Sequence, residues 1–256
     1  MSKLRPKLRL KNLHKFKFTD LEYFIGAYYL IKLRSIDSGK IKGSKVFTCS
    51  NCINDSYLDS WSISWANSND ESLEQTKSNF NLTANEIVEI QNWSDKKFND
   101  KRIGWSNTFS DLETLLEYKN QFFPDEIDFQ ILSINFPENE KTEFLKVFDK
   151  ESDYAEIGLS INLEKSILEN ETEVFLGFDL IGVEISGDFH SFHCHDLAKD
   201  LIQKFNVKIN EFGLIESHNN WDDIILYMND ESNGFEATPW FLVKVKRVNK
   251  PAHNRR

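Results

Sequence analysis

The chain has 256 residues, 40% hydrophobic and 28% charged, with 21 Phe, 6 Trp and 7 Tyr to build a core; pervasive disorder is excluded. No apolar run reaches the roughly 18 residues that span a bilayer, and the basic N-terminus lacks the apolar stretch and cleavage site of a secretory signal. Three cysteines do not make a disulfide scaffold, so a cytoplasmic protein with reduced thiols is expected.

Charge is unevenly spread. Residues 1–17 carry seven Lys/Arg and residues 244–256 carry six, neither with an acid. The remaining body holds 18 basic residues against 41 acidic ones, a balance near −23. Such a field repels nucleic acid and anionic membrane and speeds the approach of basic proteins. It equally serves plain solubility. The two basic ends are expected as tails, 1–17 and 249–256, that hang free, pair with the acidic body or act as nucleic-acid arms.

Along the chain, Thr19-Asp20-Leu21-Glu22 has the form of a capping box. Apolar residues follow at Leu21, Phe24, Ile25, Tyr28 and Ile31, which predicts a helix over 21–34. Residues 46–49 read as a short strand, and 57–65 as a half-buried strand with Tyr57, Trp61, Ile63 and Trp65 on one face. Helices are expected over 70–79, after the capping box Thr83-Ala84-Asn85-Glu86, and after a further box Ser110-Asp111-Leu112-Glu113, with Pro124 beyond the end.

After Pro124 the texture turns to strands. Residues 127–136, 154–163 and 174–185 read as strands, with a helix over 139–148. Ser186-Gly187-Asp188 reads as a tight turn, pairing 174–185 with 189–194 as a hairpin in which Phe189 or Phe192 is buried. Helices follow on Leu197, Leu201 and Phe205, and on Trp221, Ile224, Ile225 and Met228, the latter capped by Asn219 or Asn220; residues 239–248 form a closing strand. Hairpin-paired strands and helices in blocks imply an α+β fold: a largely antiparallel sheet with helices packed against it. A helix-rich subdomain over 18–123 and a strand-rich one over 124–248, sharing one core, are expected.

The densest polar cluster is His190-Ser191-Phe192-His193-Cys194-His195-Asp196. On a strand, His193 and His195 would share one face, a spacing that can bind a transition metal, with Asp179, Glu184 or Asp188 as a further ligand. The competing reading has Asp196 capping the next helix, one His bonding a carbonyl, and the phenylalanines in the core. Cys49-Ser50-Asn51-Cys52 is a CxxC that alone lacks two zinc ligands; Cys194 or His193 would complete it only if the fold brought them together. No nucleophile elbow, Walker loop or GxGxxG is present, and acidic pairs such as Asp222-Asp223 carry no catalytic specificity.

The run Gly177-Phe178-Asp179-Leu180-Ile181-Gly182-Val183, the segment His190–Cys194, and Asn210-Glu211-Phe212-Gly213-Leu214-Ile215 together resemble bacterial proteins of the polymorphic-toxin immunity kind. That resemblance implies a non-catalytic, cofactor-free binding protein that neutralises a cognate toxin, with no functional residues to carry over. The expected partner is a basic toxin such as a nuclease, and the expected contact residues are Asp222, Asp223, Asp230 and Glu231. The alternative is a metal-dependent hydrolase using His190, His193 and His195. Metal content separates the two.

Overall fold

Nine consecutive residues, Tyr23 to Ile31, carry no charge, and they form a strand buried on both faces. In a computed structural model, which describes residues 22–32, 47–48, 50, 70–104, 108–125, 129–148, 157–184, 189–194, 197–217 and 220–249, this is β1 (Tyr23–Lys32). The expected helix over 21–34 is therefore corrected. A register shift between Ile25 and Ala27, at Gly26, puts Phe24, Ala27, Tyr29 and Ile31 toward one side and Ile25, Tyr28 and Leu30 toward the other. The three-residue steps across that bulge imitate a helical period.

The other strands are β2 (Thr108–Phe109), β3 (Phe129–Pro137), β4 (Val174–Val183), β5 (Phe189–Ser191) and β6 (Trp240–Arg247). They form one curled antiparallel sheet in the order β2-β1-β3-β6-β4-β5. Seven helices among the described residues complete an α+β fold: α1 (Asp70–Phe80), α2 (Ala84–Asn99), α3 (Leu112–Phe122), α4 (Glu138–Val147), α5 (Ile157–Lys165), α6 (Ala198–Phe205) and α7 (Trp221–Met228). The sheet crosses the change of texture near residue 124, since β1 pairs with β3 along its whole length.

α5 replaces the strand expected over 154–163. Its Ile-Gly-Leu-Ser-Ile-Asn-Leu sequence alternates, yet Leu159 and Leu163, one turn apart, are both buried in the core. A Cβ on Gly158 would lie 2.5 Å from Ser110 Oγ, so this helix rests directly on the β2–α3 corner. At α2 the capping box is complete: Thr83 N–H donates to Glu86 Oε2 at 2.7 Å and Glu86 N–H to Thr83 Oγ1 at 3.2 Å. At α3 the box expected from Ser110 moves by one residue. Asp111 is the cap, accepting from Thr114 N–H at 2.8 Å, while Ser110 Oγ donates to the Lys101 carbonyl.

Alternation along the strands divides the core. One face carries Phe24, Tyr29, Phe136, Ile181, Phe241 and Val243, covered by Phe144 of α4 and by Leu159 and Leu163 of α5. The opposite face has two apolar ends. α2 and α3 cover Tyr28, Leu30 and Ile131, and α6 and α7 cover Leu180, Trp240 and Leu242. Between those ends the strands present Ser133, Asn135, Lys244 and Lys246, adjacent by register. β4 and β5 pair as the expected hairpin, with Phe189 and Phe192 fully buried; Ser186, Gly187 and Asp188 lie outside the described residues. So do the strand read at 57–65 and both tails as far as residue 17 and from residue 250.

Candidate functional site

β5 ends at Ser191 and the chain turns at Phe192, which breaks the strand alternation expected for the histidines. His190 Nε2 lies 2.8 Å from Glu184 Oε1. His193 instead turns inward, and its Nε2–H donates to the Gly213 carbonyl at 2.6 Å. Burial holds His193 below the ordinary imidazole range, against the pull of that carbonyl, so the neutral ring is favoured. The two rings have separate partners. His195, Asp188 and Asp196 lie outside the described residues, and among the described residues no group of three His, Cys, Asp or Glu is placed to hold a metal.

Cys49 and Cys52 also lie outside the described residues. Ser50, between them in sequence, has its hydroxyl 3.6 Å from Cys194 Sγ, which accepts from Ser191 N–H. Beside this contact, Asp179 is wholly buried on the face of β4 that carries Ile181 and Val183. Its Oδ1 accepts from Leu180 N–H at 2.9 Å. Burial pushes its carboxyl up to about 7, only partly opposed by hydrogen bonds from Thr48 and Leu180.

α7 arranges the acidic residues around a hydrophobic one. Its inner face, Trp221, Ile224, Ile225 and Met228, is buried beneath β6 and β4. Asp222 and Asp223 occupy the first turn, where the helix dipole favours negative charge. Asn220 sits at the cap position without a capping side-chain bond to the helix, and Asn219 lies outside the described residues. Asp223 is exposed, and Leu226, one turn further, is 46% exposed. Just past the helix end, Asp230 Oδ1 accepts from Ser232 N–H and Oγ, which lowers its carboxyl below the usual range, at the start of a short turn containing Glu231. α6 packs alongside, its Phe205 ring edge-on to Tyr227 at 5.4 Å, and it adds exposed Ile202.

The polar band in the middle of the sheet was not foreseen. Lys244 and Lys246, counted with the basic C-terminal end, belong to β6 and both meet Glu169, at 2.8 and 3.4 Å. Ser133 Oγ donates to Glu173 Oε2, and Asn135 Nδ2 donates to Ser133 Oγ. The available signal was local: Ser133 and Asn135 interrupt an apolar strand, and Lys244 and Lys246 alternate with valines.

Comparison of the chain with family models, with curated proteins and with solved structures finds no match.

Proposed function

We propose that the chain is a non-catalytic binding protein, an immunity-type inhibitor that docks a basic bacterial toxin on the outer face of α7. A nuclease, whose phosphate-binding cleft is basic, is the kind of toxin that suits it. The observation that carries this reading is the placement of exposed Leu226 between Asp223 and Asp230. An apolar side chain within a charged rim is the arrangement in which one residue supplies contact energy while its neighbours steer and select the partner. Asp222 stands beside Asp223 in the same first turn, and Glu231 follows Asp230 in sequence. The acidic body adds long-range attraction for a partner of opposite sign.

The test is association kinetics with a basic toxin whose gene is found to neighbour the gene of this chain. Raising salt shortens the Debye length from about 30 Å at 0.01 M to about 8 Å at 0.15 M, and the on-rate falls with it. Asp223→Lys with Asp230→Lys lowers the on-rate, and Leu226→Ala raises the off-rate. Unchanged kinetics in both variants, each shown to be folded, would remove α7 from the interface. Failure of the toxin to bind at all would sink the inhibitor reading itself.

A further inference from the structure

After α5 the chain crosses the outer side of β1, where Ile25 N–H donates to the Ile167 carbonyl at 2.8 Å and Glu169 N–H to the Tyr23 carbonyl at 2.9 Å. Phe24 and Leu168 face each other in this antiparallel bridge. Backbone groups alternate sides along an extended chain, so the N–H and C=O of Leu168 point away from β1. Among the described residues neither has a partner. Leu168 is also the most exposed large hydrophobic side chain of the described residues, at 56%, and Ile167 beside it is exposed too. A short open edge with apolar side chains is a surface to which a further strand adds.

The N-terminal sequence has the pattern of such a strand. Its seven Lys/Arg, from Lys3 to Lys17, all stand at odd positions, and Leu4, Leu8, Leu10, Phe16 and Phe18 stand at even ones. An extended chain of that pattern carries every charge on one face and these apolar side chains on the other, whereas a helix would spread the charges around its circumference.

We infer that residues 14–18 of this chain, which lie outside the described residues, add as a strand to the open edge at Leu168. Phe16 and Phe18 would then share the side of Leu168, the side on which Phe24 enters the core, with Lys15 and Lys17 on the other. The connection fits. Thr19 to Glu22 leave four residues between Phe18 and β1, enough to span about 13 Å. A strand beyond 167–169 lies two strand spacings from β1, about 10 Å. Charge favours the same occupant. Residues 164–173 hold four glutamates against one lysine; Glu169 and Glu173 turn to the sheet, and Glu164 and Glu171 are exposed. So short a tether holds the segment at an effective concentration on the order of millimolar, ahead of any second copy.

Hydrogen exchange of the full chain, read by NMR, tests this. The Leu168 amide and at least one amide of residues 14–18 should exchange about tenfold more slowly than unstructured chain, whatever the protein concentration. Leu168→Pro removes the outward N–H and leaves the bonds of residues 167 and 169 to β1 in place. Residues 14–18 should then exchange at the unstructured rate while Ile25 N–H stays protected. Should that variant fail to fold, Phe16→Ser with Phe18→Ser should release the Leu168 amide in the same way. Unprotected amides in the parent, or protection of 14–18 that survives Leu168→Pro in a folded chain, would overturn the inference. Protection lost on dilution would also overturn it and assign the edge to a second copy.

Discussion

Gly177 and Leu214 approach so closely that a Cβ on the glycine would stand 2.6 Å from the Leu214 Cβ. Gly177 also has φ +152°, next to the register shift between Phe175 and Gly177 on β4. The hairpin-like segment around Asn210 is thereby laid against the strand, and Phe178 and Ile215 exchange two backbone hydrogen bonds at 2.8 Å. Gly177→Ala is expected to lower stability by about 3 kcal/mol, since overpacking and a strained backbone each cost about 1–3 kcal/mol. Urea unfolding measures it. A loss under about 1 kcal/mol would mean that the 210–215 segment yields easily.

Asp179 predicts a pH dependence with a definite sign. Its folded carboxyl is raised from 3.8 to about 7, so between those values the folded chain holds the proton more tightly than the unfolded one. This carboxyl therefore erodes stability as pH rises from about 4 to about 7 and changes nothing further above. Asp179→Asn removes the titration and keeps an acceptor for Leu180 N–H. The variant should match or fall slightly below the parent at pH 4 and exceed it at pH 8, by on the order of a few kcal/mol. Thermal melts at the two pH values decide; a constant difference between the proteins would refute the buried-carboxylate account.

α7 should separate its two faces in a simple comparison. Trp221 is buried against Phe178, ring to ring at 5.2 Å, and Trp221→Ala is expected to cost about 3–5 kcal/mol. Leu226→Ser on the exposed face should stay within about 0.5 kcal/mol. A large loss from Leu226→Ser would show that this residue supports the fold and would withdraw it from the proposed interface.

Asp111 caps α3 and holds Arg102 at 2.6 Å. Burial alone would raise its carboxyl, but the Thr114 bonds and the Arg102 guanidinium outweigh burial and hold it below the usual range. Its contribution is thus present at neutral pH and lost as pH falls through the depressed value. Asp111→Ala should cost about 1–2 kcal/mol at pH 7 and progressively less in acid. An equal loss at pH 7 and at pH 2 would contradict this cap.

Helices were legible where caps and period agreed. Thr83 and Glu86 announce α2, and Trp221, Ile224, Ile225 and Met228 announce α7, because the apolar stripe and the buried stripe coincide there. β1 was not legible as a strand. A bulge at Gly26 inserted one residue into a run apolar on both faces, and the sequence pattern cannot tell an inserted residue from a helical step. α5 failed in the opposite direction, since its alternating Ile and Leu suit a strand until Gly158 and Asn162 are placed: Asn162 Nδ2 donates to the Gly26 carbonyl at 2.8 Å, across 136 residues. The helix that carries Asp222 and Asp223 was legible from its apolar stripe, whereas the polar band on the sheet was not. Its members, Ser133, Glu169, Glu173, Lys244 and Lys246, come from three separate stretches and meet only through the pairing of the sheet.

The strand order also fixes when the sheet can be finished. β6 is synthesised after every other described strand, yet it lies between β3 and β4 and is paired on both sides. Until it emerges from the ribosome, β3 and β4 each present an unpaired edge beside Ile134, Phe136, Leu180 and Ile181, the kind of surface that templates aggregation. A nascent or truncated chain ending before Trp240 would thus resemble an open clasp. Its two halves would have no strand in common, and whatever shields hydrophobic segments during synthesis would have to wait for the final eight residues of the sheet.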